Sequence, residues 1–502
     1  MERPNILLIM TDQQRYDSLG CYGAEFAHTP NLDRLASEGV LFERCYVNNP
    51  ICTPSRASMF TGKHLPGHRV YKLYDILPED EVMFTEHLWT AGYQTALFGK
   101  LHVSSAFGYE DRTRNPHDGF EIYEWCHEPA LFLDAPHNAY GRWLEEIDPE
   151  FYAEFLEKGR GLLHVPRERH MNYWAAERTI DFIDNHDAER PFFAMMSVFD
   201  PHNPYEDHPT EMADLVDESA IPDPEPRDVS NLPRGVRQEH EHNYLGRFKD
   251  MSREELRKMR HGYHASVAHI DLEVGRVLEA LEKSGQADNT LVIFTSDHGD
   301  MLGDHSLMVK GGFFYDPNVR VPLIMRWPER FGSGQRIQTN VQPHDLAATV
   351  MSAAGIAPDL VAQAAPDAAD MGPVAAGEAE RVRDHAVTIF RNTGRAKVGS
   401  FNPPNHCTMF RDERYKLNVF HTSLDGNGEP EGELYDMVED PGERNNLWDD
   451  PGHAMVRARL TGRLVDFLVD QDLRHGRHAK EFLRDAPTAP VPNPARRYAR
   501  GT

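Results

Sequence analysis

The sequence is poor in cysteine, and its cysteines show no pairing pattern. They number five in 502 residues and stand singly, at Cys21, Cys45, Cys52, Cys126 and Cys407. Disulfide frameworks and structural zinc sites use an even number of closely spaced cysteines or C-x-x-C pairs. The sequence therefore argues against both, and any role for one of these cysteines must be individual.

The beginning of the chain also lacks a long apolar run. The run at residues 5–10, NILLIM, is too short for the hydrophobic part of a signal peptide or for a membrane span. Pro4 stands where a signal peptide would carry a basic segment. We therefore expect a cytoplasmic protein with no membrane partner, or one already trimmed at its N-terminus.

Basic residues are too few to balance the acidic ones. The chain has 53 Lys and Arg against 80 Asp and Glu, a formal net charge of −27. Such a field repels nucleic acids and anionic membrane surfaces, so neither is expected as a partner. Any site for an anion must be built locally from a few cations.

Four short apolar runs end in polar or charged side chains. The runs cover residues 5–10, 95–98, 192–199 and 291–295. The side chains that follow them are Asp12, Lys100, His102, Asp200, His202, Asp297 and His298. Helical patterns, such as those at residues 173–185 and 263–284, lie between the runs.

This alternation predicts an α/β fold with a mostly parallel central sheet sandwiched by helices. Ligands of such sheets bind beyond the carboxyl ends of the strands. We therefore expect the polar side chains that follow the four runs to meet at one edge of the sheet.

The composition predicts three further parts after a catalytic domain at residues 1–356. Residues 357–380 are rich in Ala, Pro, Asp and Gly without a period, which indicates a linker or a surface excursion. Residues 381–474 predict a smaller α+β subdomain with a short antiparallel sheet and a helix at 454–470. The Pro-rich, basic tail at 475–502 either frays or lies on a neighbouring subunit, which would make the protein a homo-oligomer.

Residues 48–62, NNPICTPSRASMFTG, place Cys52 next to a predicted helix N-terminus. Thr53 suits the N-cap position and Pro54 the first helical position, with a stop near Gly62. A helix N-terminus with Arg56 one turn away is a natural place for a tetrahedral anion. The motif by itself leaves three alternatives: a buried small residue, half of a disulfide, or a thiol with a low pKa.

The motif CTPSR resembles the signature of the type I sulfatases of the alkaline phosphatase superfamily, in which the Cys of C-x-P-S-R is oxidised to formylglycine. Seven blocks resemble that family in its own order and cover most of the first 450 residues. They are PNILLIMTDQQ, TPNLDRLASEGVLFERCYVNNPICTPSR, GYQTALFGKLH, DPHNPY, TSDHGDMLGDH, KGGFFYDPNVRVPLI and GELYDMVEDPGERNNL.

The resemblance implies hydrolysis of a sulfate monoester to sulfate and an alcohol or phenol. A formylglycine made from Cys52 by a formylglycine-generating enzyme, and hydrated to a gem-diol, would be the nucleophile. A divalent metal would be held by Asp12, Asp297, His298 and an oxygen of modified Cys52.

The resemblance also implies roles for the remaining polar residues. Arg56 and Lys100 would hold the oxygens of the nucleophile and the sulfate, and His102 would assist the gem-diol. His202 and Lys310 would contact the ester from the opposite side, where either can protonate the leaving oxygen.

Two positions depart from the commonest sulfatase pattern. Asp12-Gln13 stands where many members have Asp-Asp, and Asp297-His298 where many have Asp-Asn. One nitrogen ligand more and one carboxylate fewer leave Ca²⁺ and Mn²⁺ as candidates and make Mn²⁺ more plausible than in an all-oxygen site. These departures resemble the phosphonate monoester hydrolase and choline sulfatase branches, whereas Lys100 and His102 distinguish the chain from the phosphonate branch.

Two alternatives to a sulfatase follow. The chain can be a phosphonate monoester or phosphodiester hydrolase of the same superfamily, or a non-catalytic anion-binding or metal-binding protein if Cys52 stays a thiol. The leaving group is left open among aryl, sugar and choline-type esters. Aromatic residues within 104–170 can stack on a substrate, although core packing explains most of them.

Overall fold

The computed structural model describes residues 3–187, 189–242, 248–391, 404–421 and 431–475. Their strands are β1 (Asn5–Thr11), β2 (Val40–Tyr46), β3 (Gln94–Gly99), β4 (Ile122–Trp125), β5 (Phe192–Ser197), β6 (Thr290–Ser296), β7 (Arg320–Val321), β8 (Leu323–Arg326), β9 (Gln335–Val341), β10 (Ala386–Arg391), β11 (His406–Arg411), β12 (Tyr415–His421) and β13 (Glu431–Asp436).

The α-helices of the described residues are α1 (Pro30–Glu38), α2 (Cys52–Thr61), α3 (Leu65–His68), α4 (Phe84–Thr90), α5 (Pro129–Phe132), α6 (Ala139–Ile147), α7 (Pro149–Lys158), α8 (Met171–Asn185), α9 (Thr210–Ala213), α10 (Arg234–His242), α11 (Arg253–Lys283), α12 (Asp316–Val319), α13 (Asp345–Ala353), α14 (Pro358–Ala364), α15 (Gly372–Ala375) and α16 (Ala454–His475). No helix among the described residues is long and apolar enough to cross a membrane.

Nine strands of the described residues form the central sheet, in the order β4-β3-β5-β1-β6-β8-β2-β7 with β9 also paired to β2. The five neighbouring strands β4, β3, β5, β1 and β6 are mutually parallel, and β9 is parallel to β2. Antiparallel pairing occurs where β8 joins β6 and β2, and where β7 joins β2. The prediction of a mostly parallel sheet is confirmed.

Both faces of the sheet are covered. Along β1, Ile6 and Leu8 point into one hydrophobic cluster, whereas Leu7 and Ile9 point into another, and all four are fully buried. A strand buried on both faces needs apolar residues at successive positions, which explains the unbroken apolar run. The prediction of a sheet sandwiched by helices is confirmed.

The four strands predicted to carry polar side chains lie side by side. Met10 of β1 pairs with Ser197 of β5 and with Thr295 of β6, and Gly99 of β3 pairs with Ser197. Because these strands are parallel and in register, the residues that follow them leave the sheet at one edge, as predicted.

Helix boundaries differ from the prediction in two places. α11 begins ten residues before the predicted start, since Ser252 and Glu255 form a capping box that the apolar pattern does not reveal. α2 begins at Cys52, so the prediction that Thr53 caps it is wrong. Thr53 Oγ1 instead donates to the carbonyl of Leu73 at 3.0 Å.

The predicted stop of α2 at Gly62 is confirmed, and the φ of this glycine is +64°.

The segment at 357–380 contains α14 and α15 and packs on the main core. Ala365, Met371 and Ala375 are almost fully buried in the same hydrophobic cluster as Ile6. The segment is therefore not an extended linker; its alanines let short helices approach the core closely. The division at residue 356 stays a prediction.

The C-terminal subdomain has the predicted antiparallel sheet, in the order β10-β11-β12-β13, and the predicted helix, α16. Leu460 and Leu464 of α16 pack on Val387 and Leu417 of the sheet. The predicted tail lies outside the described residues from position 476 onward.

Candidate active site

The N-terminus of α2 brings Cys52 to the polar edge of the sheet. Its Sγ lies 3.0 Å from His298 Nε2, 3.3 Å from Lys310 Nζ and 3.7 Å from Asp12 Oδ1. Only 2% of the residue is exposed. Residues from two distant parts of the chain, near position 12 and at 298–310, therefore surround this one thiol.

Arg56, one turn further along α2, joins the ends of two strands. Its Nε donates to Asp297 Oδ2 at 2.6 Å and its Nη2 to Asp12 Oδ2 at 3.2 Å. Its Nη1 donates to the Lys100 carbonyl at 2.9 Å. Because the guanidinium is fully buried, this planar fork fixes the two carboxylates relative to each other.

Two lysines complete the charge balance. Lys100 Nζ forms an ion pair with Asp12. Lys310 Nζ donates to Cys52 Sγ and, at 2.7 Å, to Gln13 Oε1. Of the two lysines near the thiol, Lys100 pairs with a carboxylate, whereas Lys310 pairs with none among the described residues.

Asp12, Cys52, Asp297 and His298 form the site cluster. Their possible ligand atoms all lie within 4.8 Å of one another. Since His298 Nδ1 lies 3.0 Å from the Gly299 carbonyl, which can only accept, Nδ1 carries a proton and Nε2 is the nitrogen that would bind a metal. Two carboxylates and one imidazole nitrogen are a donor set that fits a divalent metal.

The charges shift the pKa values of the cluster. Burial would raise the pKa of the Asp12 carboxyl, but Lys100, His202 and Lys310 hold it well below its usual range. Burial and Asp12 oppose ionisation of the Cys52 thiol, yet the surrounding cations lower its pKa. Burial opposes protonation of His298, but Asp297 raises its pKa. The pocket therefore favours anions at Asp12 and at position 52.

His102 and His202 flank the cluster without bonding to it directly. His102 adopts a φ of +58°, and its Nε2 lies 3.0 Å from Thr53 Oγ1. His202 Nδ1 donates to the Asn203 carbonyl at 2.7 Å. Burial lowers the pKa of both imidazoles well below the usual value, so both are neutral at neutral pH.

The structure shows residues that sequence reasoning missed. Glu110 accepts the backbone N–H groups of His102 at 2.8 Å and Ser104 at 2.9 Å, and so holds the loop after β3. Burial raises the pKa of Glu110 to about 7. The sequence carries no signal for it beyond an acidic residue in an aromatic stretch.

Gln13, which the sequence marked only as a departure from the sulfatase pattern, supports the site through several hydrogen bonds. Its N–H donates to Asp297 Oδ1 at 3.1 Å and its Nε2 to Asp300 Oδ2 at 2.5 Å. Tyr205 OH donates to the same oxygen of Asp300 at 2.7 Å. The position of Asp300, three residues after Asp297, was the available signal for this support.

Comparisons with known proteins agree with this geometry. The profile described as Sulfatase matches residues 4–356, and that described as N-sulphoglucosamine sulphohydrolase, C-terminal, matches residues 303–470. An arylsulfatase of Clostridium perfringens is 32% identical over 66% of this chain and 70% of its own length. A choline-sulfatase of Rhizobium meliloti is 29% identical over 91% of this chain and 85% of its own.

Among solved structures, the phosphonate monoester hydrolase of Agrobacterium radiobacter superposes with a TM-score of 0.75. It is 26% identical and covers 93% of this chain and 96% of its own. The match over the whole catalytic region, together with the arrangement of the strand-end residues, identifies the chain as a hydrolase of the sulfatase family, within the alkaline-phosphatase-like superfamily.

Proposed function

We propose that the protein hydrolyses a sulfate monoester to sulfate and an alcohol or phenol, with a formylglycine derived from Cys52 and one divalent metal. The observation that carries this proposal is the position of Cys52 Sγ, 3.0–3.7 Å from His298, Lys310 and Asp12. An oxygen attached to the β-carbon of residue 52 would lie among metal ligands and cations alike.

Asp12, Asp297, His298 and the modified side chain of residue 52 would hold the metal, Ca²⁺ or Mn²⁺. When bound, it would withdraw charge from the sulfate oxygens and from the nucleophile. The imidazole nitrogen of His298 favours Mn²⁺ over Ca²⁺. The Gln13 side chain is hydrogen-bonded to Asp300 and Lys310. Because it is an amide, it adds no negative charge to the site, whereas an aspartate at this position would.

The hydrated formylglycine would supply a nucleophilic hydroxyl together with a second hydroxyl whose deprotonation releases the sulfate. Arg56 holds the carboxylates of Asp12 and Asp297 in place, and Lys100 offers its charge next to Asp12. These cations would stabilise the negative charge that grows on the sulfate oxygens during attack. His102 contacts Thr53, the residue after Cys52, and would assist the gem-diol.

Lys310 is the better candidate for protonating the leaving oxygen. His202 is neutral, with its proton on Nδ1 and directed to the Asn203 carbonyl, so its Nε2 is an acceptor in this state. The Lys310 ammonium is a donor, and Gln13 Oε1 holds its Nζ beside the site at 2.7 Å. We therefore propose Lys310 as the general acid and His202 as its polar partner at the ester.

The proposed modification must occur before the chain folds. Cys52 is 2% exposed and lies within the first turn of α2. A formylglycine-generating enzyme needs access to this cysteine, which the folded chain denies. Such an enzyme is therefore proposed as a transient partner during synthesis.

Turnover of 4-nitrophenyl sulfate tests the proposal. The chain produced with a formylglycine-generating enzyme should hydrolyse this ester, and the Cys52→Ala variant produced in the same way should not. Absence of turnover in both, at full metal loading and with Cys52 converted, would contradict sulfatase activity. A chain whose Cys52 stays a thiol under these conditions would favour a non-catalytic binding role.

A second candidate function is hydrolysis of phosphonate monoesters or phosphodiesters. The similarity to the Agrobacterium radiobacter enzyme supports it, as does the Gln13 and His298 pattern. Both reactions pass through charged, trigonal-bipyramidal transition states, so some cross-reactivity is expected. The ratio of kcat/KM for phenyl sulfate and phenyl phenylphosphonate decides between them; a large excess for the phosphonate ester would make it the main activity.

A further inference from the structure

Most aromatic residues of the segment at 104–170 form core, but a few apolar side chains next to them do not. Trp125 and Tyr140 are fully buried, and Phe132 is nearly so. In contrast, Phe107 is 51% exposed, Ile76 48% and Leu131 47%. Large apolar side chains exposed together are costly in water and mark binding surfaces.

These exposed side chains come from segments that lie side by side. Ser105 N–H donates to the Asp75 carbonyl at 2.9 Å, which places Ile76 beside the Phe107 segment. The Phe107 ring contacts Tyr74 at 5.7 Å and Phe132 at 4.8 Å between centroids. We call Tyr74, Ile76, Phe107 and Leu131 the apolar rim.

The apolar rim is connected to the active site through directly contacting residues. Thr53, next to Cys52, donates to the carbonyl of Leu73, the residue before Tyr74. On the other side, the His102 ring meets the His127 ring at 4.3 Å, and His127 meets Phe132 at 5.1 Å. A buried row of packed rings therefore connects the catalytic edge of the sheet to Phe107 at the surface.

The backbone holds the rim in place before any ligand binds. Asp75 Oδ2 accepts the N–H groups of Tyr71 at 2.9 Å and Lys72 at 3.0 Å. Ser104 Oγ accepts the N–H of Leu77 at 2.8 Å. A preformed surface loses little conformational entropy on binding, so exposed rings held in this way favour affinity.

We propose that the apolar rim binds the leaving group of the sulfate ester and selects an uncharged aromatic ring system. This inference rests on the proposed function of the neighbouring site. The exposed side chains of the rim provide ring faces and aliphatic surface, and the Tyr74 hydroxyl is the one polar group among the four. A flat aromatic ring matches this surface, whereas a polyhydroxylated sugar needs hydrogen-bond partners that these four side chains do not offer.

Substitution of the rim tests the proposal with three esters: 2-naphthyl sulfate, glucose 6-sulfate and choline sulfate. We expect the wild-type enzyme to prefer 2-naphthyl sulfate in kcat/KM. Phe107→Ala should raise KM for this ester about tenfold with kcat nearly unchanged, because stacking contributes to binding rather than to the chemical step. Phe107→Ala combined with Ile76→Ser should raise it further.

Leu156→Ala is the matched control, since Leu156 is 45% exposed on α7 and lies outside the rim. It should leave KM for 2-naphthyl sulfate unchanged. Thermal melting of each variant checks the fold, and titration of Cys52→Ala with 2-naphthyl sulfate measures binding without turnover.

The outcomes distinguish a failure of the rim proposal from a failure of the sulfatase proposal. A wild-type enzyme that turns over sugar or choline sulfate better than 2-naphthyl sulfate overturns the rim proposal and leaves the sulfatase proposal standing. So does a Phe107→Ala variant with unchanged KM for all esters. An enzyme inactive on all three esters, with residue 52 converted and metal present, contradicts the proposed function itself.

Discussion

Two buried clusters of aspartate and histidine lie at the polar edge of the sheet, and they differ in what they can bind. One is the site cluster around Cys52. The other, which we call the inner cluster, consists of His170, Asp200 and His269, whose possible ligand atoms also lie within 4.8 Å of one another. The two touch, because Asp12 N–H donates to the Asp200 carbonyl at 3.2 Å.

The first difference is the charge around the carboxylates. Asp12 pairs with Arg56 and Lys100, which hold its pKa well below the usual range against the effect of burial. The Asp200 carboxyl accepts only the side-chain amide of Asn172 among the described residues, at 2.9 Å, and burial raises its pKa to about 6. The carboxyl of Asp12 therefore keeps its negative charge to low pH, whereas that of Asp200 is protonated below about pH 6.

The second difference is the proton on the imidazole. His298 Nδ1 donates to a carbonyl, so its Nε2, which faces Cys52 Sγ, is the nitrogen that would bind a metal. His170 Nδ1 accepts the N–H of Asn172 at 3.2 Å, so its Nε2 carries the proton and cannot. The partner of the second ring nitrogen, rather than the residue type, decides which histidine can be a ligand.

The largest expected effect separates the reactive cysteine from a merely buried one. Cys52→Ala should lower kcat/KM for 4-nitrophenyl sulfate by on the order of 10⁴-fold or more, because the nucleophile is lost. Cys126→Ala is the control: that thiol is buried too, and burial raises its pKa well above the usual value. It should retain activity, and a comparable loss in both variants would show that the effect is structural.

Metal content should distinguish the two clusters next. Purified protein should hold about one divalent metal per chain, since, of these two clusters among the described residues, the site cluster has two carboxylates together with an imidazole whose Nε2 faces them. Asp297→Asn should lose that metal and most activity. Asp200→Asn should keep it, and a second equivalent that disappears in Asp200→Asn or His170→Gln would contradict this distinction.

The cations of the site cluster should show a smaller, leaving-group-dependent effect. Lys310→Met should slow hydrolysis of a poor leaving group such as cyclohexyl sulfate ~10²- to 10³-fold, and that of 4-nitrophenyl sulfate much less, because a good leaving group needs little protonation. His202→Asn is the comparison variant and should show a weaker dependence on the leaving group. The reverse order would make His202 the acid.

The smallest expected effect is on stability against pH. The folded state raises the pKa of Asp200 from 3.8 to about 6 and so favours its protonated form. Its contribution to the free energy of unfolding is present below pH 3.8 and lost as pH rises through about 6. The loss is at most ~3 kcal/mol, because one pKa unit corresponds to about 1.4 kcal/mol.

Chemical denaturation between pH 4 and pH 8 measures this loss. Asp200→Asn should remove that part of the slope while keeping an acceptor for Asn172 Nδ2. An unchanged slope would show that Asp200 is ionised throughout. The carboxyl of Asp12, with its lowered pKa, has the opposite sign and loses its contribution as pH falls.

The sequence predicted the parallel sheet and the meeting of four strand ends, because apolar runs buried on both faces and their terminal polar residues are local patterns. It could not predict that Arg56 joins Asp12 to Asp297 or that Glu110 holds the His102 loop. Those contacts join residues far apart along the chain, or turn on a backbone conformation, such as the positive φ of His102, that no pattern marks.

Segment 357–380 also shows that sequence composition alone does not predict tertiary packing. Its composition is typical of a linker, yet Met371 and Ala375 lie in the core. Small side chains carry little periodic signal and still pack well when a surface is available. The start of α2 illustrates capping: Thr53 had the right residue type, but its hydroxyl bonds to Leu73 instead.

Mass spectrometry of the tryptic peptide 45–56, CYVNNPICTPSR, tests the central claim most directly. The peptide contains Cys45, which is fully buried in β2 and serves as an internal control. From active enzyme, the account predicts a peptide with the mass of one thiol and one aldehyde, with fragment ions placing the aldehyde at position 52. Active enzyme in which both residues 45 and 52 remain thiols would contradict it.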